Sequence, residues 1–389
     1  MHQILFSRQA ILNRGYDVMG YELSCHGDGR VEATENDKRM MAFLLDMGIE
    51  KIAGKKQAFL EVDASFIEQS FSELLSPEHV GLIVPASVSQ VCSVDCAEKL
   101  NELGYPLVID LQDGEQADER WLDLAKYIRI HVGQMDLIKQ LRVRTGSMII
   151  AGVDDYESYH KLSDLGAGFF QGAFFSKPDL AMDQPVGPSR LSVLNAMQQI
   201  VRADSLEEIE AVLLQDMDLS YRMFKLINSA AFGFQREIDS VRQAVALLGK
   251  ERIKLWLTTL SFASLNDNKP SELMHTALVR GRMMELLAEG DGHAHPSDIF
   301  LVGMFSLLDA MLDQPIENIL ETLTLPDAVR KGLIDSDDRY ARMIGAIQTV
   351  EQQGWAAAVD GFQELGVEIK AVIPIYWDAL EWADENALL

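Results

Sequence analysis

The spacing of apolar positions changes part-way along the chain. Before Pro178, short β-branched or apolar runs bounded by turn residues alternate with stretches repeating every three to four residues; beyond it only the helical period persists. The short runs predict eight strands, near Gln3–Phe6, Val18–Ser24, Gln57–Val62, Val80–Val84, Leu107–Leu111, Tyr127–Val132, Met148–Val153 and Gly168–Phe174. Asn13-Arg14-Gly15-Tyr16-Asp17 offers a hairpin between the first two. From the second strand onward helical patterns intervene, over Asp37–Ala53, Ser65–Leu75, Ser89–Leu103, Glu119–Leu124, Gln134–Val143 and Tyr156–Leu165. Such alternation predicts parallel strands with right-handed crossovers. Its repetition predicts a reduced (β/α) barrel of the TIM type, well short of the usual ~250 residues. The rival, a doubly wound open sheet, lacks a Gly-rich phosphate loop to recommend it.

The stretch Phe169–Pro178 reads as a buried closing strand, with aromatics crowded on both sides of Gly172 and Pro178 as its stop. A Pro- and Gly-containing joint, Met182–Pro188, follows, so the expected domains are 1–182 and 183–389. In the second half, Ser205 before Leu206-Glu207-Glu208 marks a helix start. Apolar stripes through Leu219–Ala230, Val241–Leu248 and Ile253–Leu260 read as core. Later helices are expected over Glu272–Ala288, Ser297–Leu312, Asp327–Ile334, Arg339–Gln352 and Ile369–Glu385, the last kinked or interrupted at Pro374.

Charge and composition narrow the function. A net charge of −26 on 389 residues opposes phosphate backbones and anionic lipids, which argues against nucleic-acid binding or membrane-surface roles. No apolar run is long enough to span a bilayer, and the opening residues lack a signal-peptide pattern. Cys25, Cys92 and Cys96 are too few for a disulfide framework and read as reduced thiols, so a cytoplasmic location is expected. Cys25 fits a small packing residue better than a nucleophile.

Three motifs of the first half are Phe6-Ser7-Arg8-Gln9-Ala10-Ile11-Leu12, Gly20-Tyr21-Glu22-Leu23 and Phe170-Gln171-Gly172-Ala173-Phe174-Phe175-Ser176-Lys177-Pro178. Together they resemble the EAL domain of two-domain EAL–HDOD signalling proteins. The resemblance implies a barrel whose family hydrolyses cyclic di-GMP with metal-bound water. That chemistry calls for divalent ions on hard oxygen ligands at the C-terminal ends of successive strands. By the resemblance, Glu22 stands at the family's signature glutamate, and His26 replaces the Arg that grips the ligand phosphate. Glu61 stands at a ligating Asn, and Ile83 replaces a metal-binding Glu. Of the paired acids only Asp110 remains, followed by Leu111. Arg129 takes the place of the catalytic Lys, His131 that of the Asp after it, and Gln171 is retained. The family's Ala-Glu-x-Val-Glu run is one residue short at Ala151–Asp154. An aliphatic side chain cannot replace an oxygen ligand, so the two-metal site is read as dismantled. Glu22 and Asp110 keep two readings, ligand groups or carboxylates hydrogen-bonded to loop backbone at the barrel mouth. His26 and His131 have no second metal ligand spaced on their own elements.

In the second half, Asp216-Met217-Asp218-Leu219, Ile227-Asn228-Ser229-Ala230-Ala231-Phe232 and Ala244–Gly249 resemble the HDOD domain, a helical relative of the HD phosphohydrolases. Ser306 and Leu307 stand where the His-Asp pair of those enzymes would be. His275 alone cannot hold a catalytic metal, and His293 and His295 read as loop residues. The resemblance implies a catalytically inactive regulatory protein acting by protein–protein contact in cyclic di-GMP-linked signalling. No cofactor or metal is expected, cyclic di-GMP binding should be weak or absent, and the partners would be other signalling proteins, with a homo-oligomer open. The alternative is a residual cyclic di-GMP phosphodiesterase or sensor using Glu22, Glu61, Asp110, Arg129 and Gln171 with Mg²⁺ or Mn²⁺. A third class, an oligomeric scaffold with no nucleotide role, also stays open.

Overall fold

The computed structural model describes residues 5–26, 41–42, 44, 48–68, 75–111, 117–141, 146–182, 186–228, 237–266, 268–289 and 295–386. They form two compact units. The first comprises Met1–Lys177, Pro270–Glu272 and Gly345–Ile373; the second comprises Pro178–Lys269, Leu273–Ile344 and Pro374–Leu389.

The first unit is a closed barrel of eight strands in sequence order. They are β1 (Leu5–Asn13), β2 (Val18–His26), β3 (Gln57–Glu61), β4 (Val80–Pro85), β5 (Leu107–Leu111), β6 (Tyr127–His131), β7 (Met148–Ala151) and β8 (Phe169–Gln171). Strand β1 runs antiparallel to both β2 and β8, and every other pair is parallel. The hairpin at Asn13–Asp17 forms as expected, with the Asn13 side-chain oxygen accepting from Gly15 and Asp17 amides at 2.7 and 3.0 Å. Side chains alternate across a strand, so one parity fills the barrel. Ile11, Phe59, Ile83, Val108 and Ile149 form that inner layer, and Tyr127 meets Phe59 and Phe169 edge-on.

A hairpin needs no crossover helix, so the outer face of β1 and β2 must be covered otherwise. Ala10, Leu12, Tyr21 and Leu23 on that face are buried. Helix Trp355–Glu364, within the same unit, packs on β1, and the Tyr21 hydroxyl donates to Glu272 Oε2 at 2.8 Å.

Strand β1 extends well past the expected Phe6, because its inner positions near the mouth are polar and break the apolar run. The closing stretch differs in the opposite direction. Pairing ends at Gln171, and Phe174–Ser176 is a turn of 3₁₀-helix. Gly172 causes the break: its φ is +148°, and a Cβ there would lie 2.1 Å from the Val153 carbonyl oxygen. Phe170 and Phe174 are wholly buried and Phe175 nearly so, with Phe174 stacked on Tyr159 at 4.8 Å. The expected helix Ser89–Leu103 is two, Ala86–Val91 and Val94–Glu102, parted at Cys92-Ser93. Of the expected helices Asp37–Ala53 and Ser65–Leu75, residues 37–40, 43, 45–47 and 69–74 lie outside the described residues.

The second unit is helical. Caps set its helix starts: Ser205 accepts from the Glu208 amide, Asp216 from that of Leu219 and Ser240 from that of Gln243. Ile200, Ile209, Val212, Leu219, Met223, Ile253 and Leu257 are buried together in one core. Asn228 bonds the backbone of Ile238 twice, through N–H and C=O at 2.8 and 2.9 Å, which fixes the return of the chain. The expected helix Ser297–Leu312 is divided into Pro296–Phe305 and Leu308–Leu312, and Pro374 sits inside helix Ile369–Asn386.

Candidate functional site

The C-terminal ends of the parallel strands surround the barrel mouth, where inner-face parity collects Glu22, Glu61, Asp110, Arg129 and Gln171. Arg129 is the centre. Its Nη1 donates to Glu22 Oε1 at 2.6 Å, and its Nη2 donates to Asp110 Oδ2 at 2.6 Å. The longer contact from Nη2 to Glu61 Oε2 is 3.5 Å. Gln171 Nε2 donates to the other oxygen of Glu22 and, at 2.8 Å, to Gln9 Oε1. Both partners of that amide nitrogen are acceptors, which fixes the orientation of the amide.

The side chains of Arg129, Glu22 and Asp110 are only about a tenth exposed, at 11%, 11% and 9%, whereas that of Glu61 is 51% exposed. Desolvation alone would lower the pKa of Arg129, but Glu22 and Asp110 outweigh it and hold the guanidinium charged. Desolvation pushes Glu61 up; Arg129 pulls it back, and the carboxylates of Glu22 and Asp110 add to the rise.

The remaining positions fall elsewhere. Ile83 belongs to the apolar inner layer and is 1% exposed. Leu111 follows Asp110 with opposite parity, so it faces away from the barrel interior. His26 ends β2, in register with Leu5, and its side chain lies outside the described residues. His131 is exposed at the end of β6, its Nδ1 accepting from the Gly133 amide at 3.2 Å. Asp154 accepts from the Ala173 amide at 3.0 Å, a carboxylate spent on loop backbone. Sequence reasoning missed Gln9, although the hairpin register places it opposite Glu22.

These residues do not fit a two-ion centre. The two buried carboxylates each give an oxygen to Arg129, and an aliphatic side chain stands at 83. Among the described residues no three His, Cys, Asp or Glu side chains are spaced to hold an ion.

In the second unit, Ser306 and Leu307 lie between two helices. The Ser306 hydroxyl accepts from Arg280 Nη1 at 3.0 Å and donates to the Gly303 carbonyl at 2.7 Å; Leu307 is fully buried. Gly303 permits this approach, since a Cβ there would meet the Arg280 carbonyl oxygen at 2.5 Å. Nearby, burial pushes the Asp309 carboxyl up to about 6. His275 Nε2 lies 2.8 Å from Asp384 Oδ1, and His295 Nδ1 lies 2.8 Å from Ser297 Oγ. His293 lies outside the described residues.

The helical half matches the HDOD domain family over residues 188–312, a span that holds the Asp216 cap, the Asn228 staple and the Ser306–Leu307 junction. Residues 188–312 are an HDOD domain. With the closed barrel before it, the chain has the expected order of a (β/α) barrel followed by an HDOD domain. The chain is 28% identical over 412 residues to the uncharacterized protein YuxH of Bacillus subtilis (strain 168), covering 98% of each. It is 25% identical over 409 residues to the cyclic di-GMP phosphodiesterase CdgJ of Vibrio cholerae, covering 100% of this chain and 94% of that protein. Among solved structures, Klebsiella pneumoniae BlrP1 in a calcium and cyclic di-GMP complex is 15% identical, covering 44% of this chain and 56% of that one with a TM-score of 0.37. No helix in the described residues is long and apolar enough to cross a membrane.

Proposed function

We propose that this chain is a non-hydrolytic regulatory protein of cyclic di-GMP-linked signalling that works by contact with other proteins. The observation that carries this reading is the double grip on Arg129, 2.6 Å to Glu22 and 2.6 Å to Asp110. Phosphodiester hydrolysis by metal-bound water needs those carboxylates as open oxygen ligands. Here they neutralise a cation of the chain itself. Freeing them means breaking a mostly buried ion pair, a step that costs several kcal/mol in general. Phosphate binding is disfavoured by the same arrangement. The guanidinium charge is already outnumbered by three carboxylates, and the chain carries −26. In the HDOD half, Ser306 and Leu307 offer no metal ligands of the His-Asp kind, which leaves its helical surfaces for partners.

One observation favours a second reading. The similarity to CdgJ, named a cyclic di-GMP phosphodiesterase, spans the whole chain. On that reading Glu22, Glu61, Asp110, Arg129 and Gln171 retain residual activity with Mg²⁺ or Mn²⁺. Turnover decides between the two. Purified full-length chain should linearise cyclic di-GMP in Mg²⁺ or Mn²⁺ no faster than its Glu22→Ala variant. Turnover abolished by Glu22→Ala would reverse the conclusion in favour of the phosphodiesterase.

A further inference from the structure

Helix Lys250–Ala263 carries Arg252, Leu255, Trp256 and Thr259 on one face, at the spacing that brings side chains together. That face lines an open cleft of about 390 Å³ in the second unit, with Trp382 of helix Ile369–Asn386 and Pro296 among its other walls. Such a space would hold roughly a dozen waters at ~30 Å³ each, far more than close packing leaves between helices. Its size is that of a small-molecule site. Arg280, Ser306 and Leu307 do not line it, and Trp382 lies beyond the residues matched by the HDOD family.

The aromatic part of the lining is held in place. Trp382 packs edge-on against the wholly buried Phe300 at 5.6 Å and lies 6.3 Å from Trp256, their planes 38° apart rather than stacked flat. The charges are unequally matched. Arg282 donates to Glu285 at 2.8 Å and to Asp378 at 3.0 Å. Glu251 lies 3.7 Å from Lys250 and 3.9 Å from Lys254. Each carboxylate of the lining thus has a cation of the chain beside it. Arg252, by contrast, is exposed and has no ion pair or hydrogen bond among the described residues. Two indoles favour a flat apolar ring, and an unspent guanidinium favours a carboxylate in two-pronged contact. An amine would meet the charge of Arg252, and a doubly charged phosphate ester would meet a chain of −26. We propose that this cleft binds a small aromatic carboxylate, its ring against Trp256 and Trp382 and its carboxylate on Arg252. The site belongs to the helical unit and does not depend on whether the barrel hydrolyses cyclic di-GMP.

The test is calorimetric titration of the full-length chain with naphthylacetate and with its neutral amide. The acid is expected to bind saturably with a Kd below about 1 mM, as suits a ligand of this size. The amide should bind at least about fivefold more weakly, since it loses the charge-assisted contact. Arg252→Gln should weaken the acid by the same factor and leave the amide unchanged, a loss of selectivity that a general loss of structure would not produce. Trp382→Leu, with folding verified by circular dichroism, should weaken both. Arg242→Gln removes the same charge from another helix, where the side chain is 66% exposed, and should change neither. No binding of the acid would overturn the proposal outright. Equal binding of acid and amide would reduce the cleft to an apolar surface, and equal losses from Arg242→Gln and Arg252→Gln would reduce the effect to net charge; either overturns the site. Unchanged binding in Trp382→Leu would place the ligand elsewhere and overturn it too.

Discussion

Each unit of the molecule encloses an arginine, and the two are handled differently. In the barrel, Arg129 is surrounded by carboxylates on neighbouring strands, and its charge is matched at 2.6 Å on two sides. In the HDOD domain, Arg280 is 1% exposed and bonded to the neutral hydroxyl of Ser306, while Asp309 nearby is kept high in pKa by burial. The first arrangement is charge held by charge. The second is charge held partly by dipoles, beside a carboxyl that resists ionisation. Where charged and polar groups are enclosed in a core, other groups of the chain must satisfy them.

The difference is broken most severely from the barrel side. Arg129→Met leaves Glu22 and Asp110 buried without their cation, and the barrel should lose about 3–5 kcal/mol of stability, read from hydrogen exchange of the β6 amides. On the HDOD side the largest expected effect has the opposite sign. The folded pKa of Asp309, about 6, stands above its ordinary value of 3.8. The folded chain therefore binds more protons than the unfolded chain between about pH 4 and 6, and stability falls as pH rises through that window. Asp309→Asn removes the titration and keeps the acceptor for the Ala310 amide. It should raise stability by about 1–3 kcal/mol at pH 7 and by almost nothing at pH 4, measured by chemical unfolding at the two values. An equal effect at both would locate its cause outside this carboxyl. The smallest effect is expected at Ser306→Ala, which removes one hydrogen-bond partner of Arg280 and should cost about 1 kcal/mol in the same unfolding assay.

The comparison also separates what the sequence discloses from what it conceals. The eight strands and their order were legible because apolar runs and helical stretches alternate, and each parallel strand buries both faces. Strand β1 was legible only at its start, since Ser7 and Gln9 lie on its inward-facing parity at the mouth and break the run. The end of β8 was misjudged because aromatic content continues through Phe175, whereas pairing stops before Gly172, whose φ of +148° is open to glycine and not to side-chain-bearing residues. Helix breaks at Cys92-Ser93 and at Ser306-Leu307 carry neither Gly nor Pro, so nothing local announced them. The candidate site was visible as a set of positions through the EAL resemblance. That Arg129 gathers three of them is a matter of strand register, and the role of Leu111 changes once parity turns it outward. Gln9 and Arg280, each bonded to a residue singled out from the sequence, stand too far along the chain from their partners for spacing to connect them.

The central claim is that Arg129 is the cation that holds the buried carboxylates of the barrel mouth, and a double-mutant cycle tests it most directly. Arg129→Met, Glu22→Gln and the double variant would be compared with the parent by hydrogen exchange of the β6 amides. If the guanidinium and Glu22 stabilise each other as the 2.6 Å contact implies, the double variant should lose less than the sum of the single losses, by at least about 1 kcal/mol. Additive losses would mean that the two charges ignore each other, and the mouth could not then be closed by its own arginine.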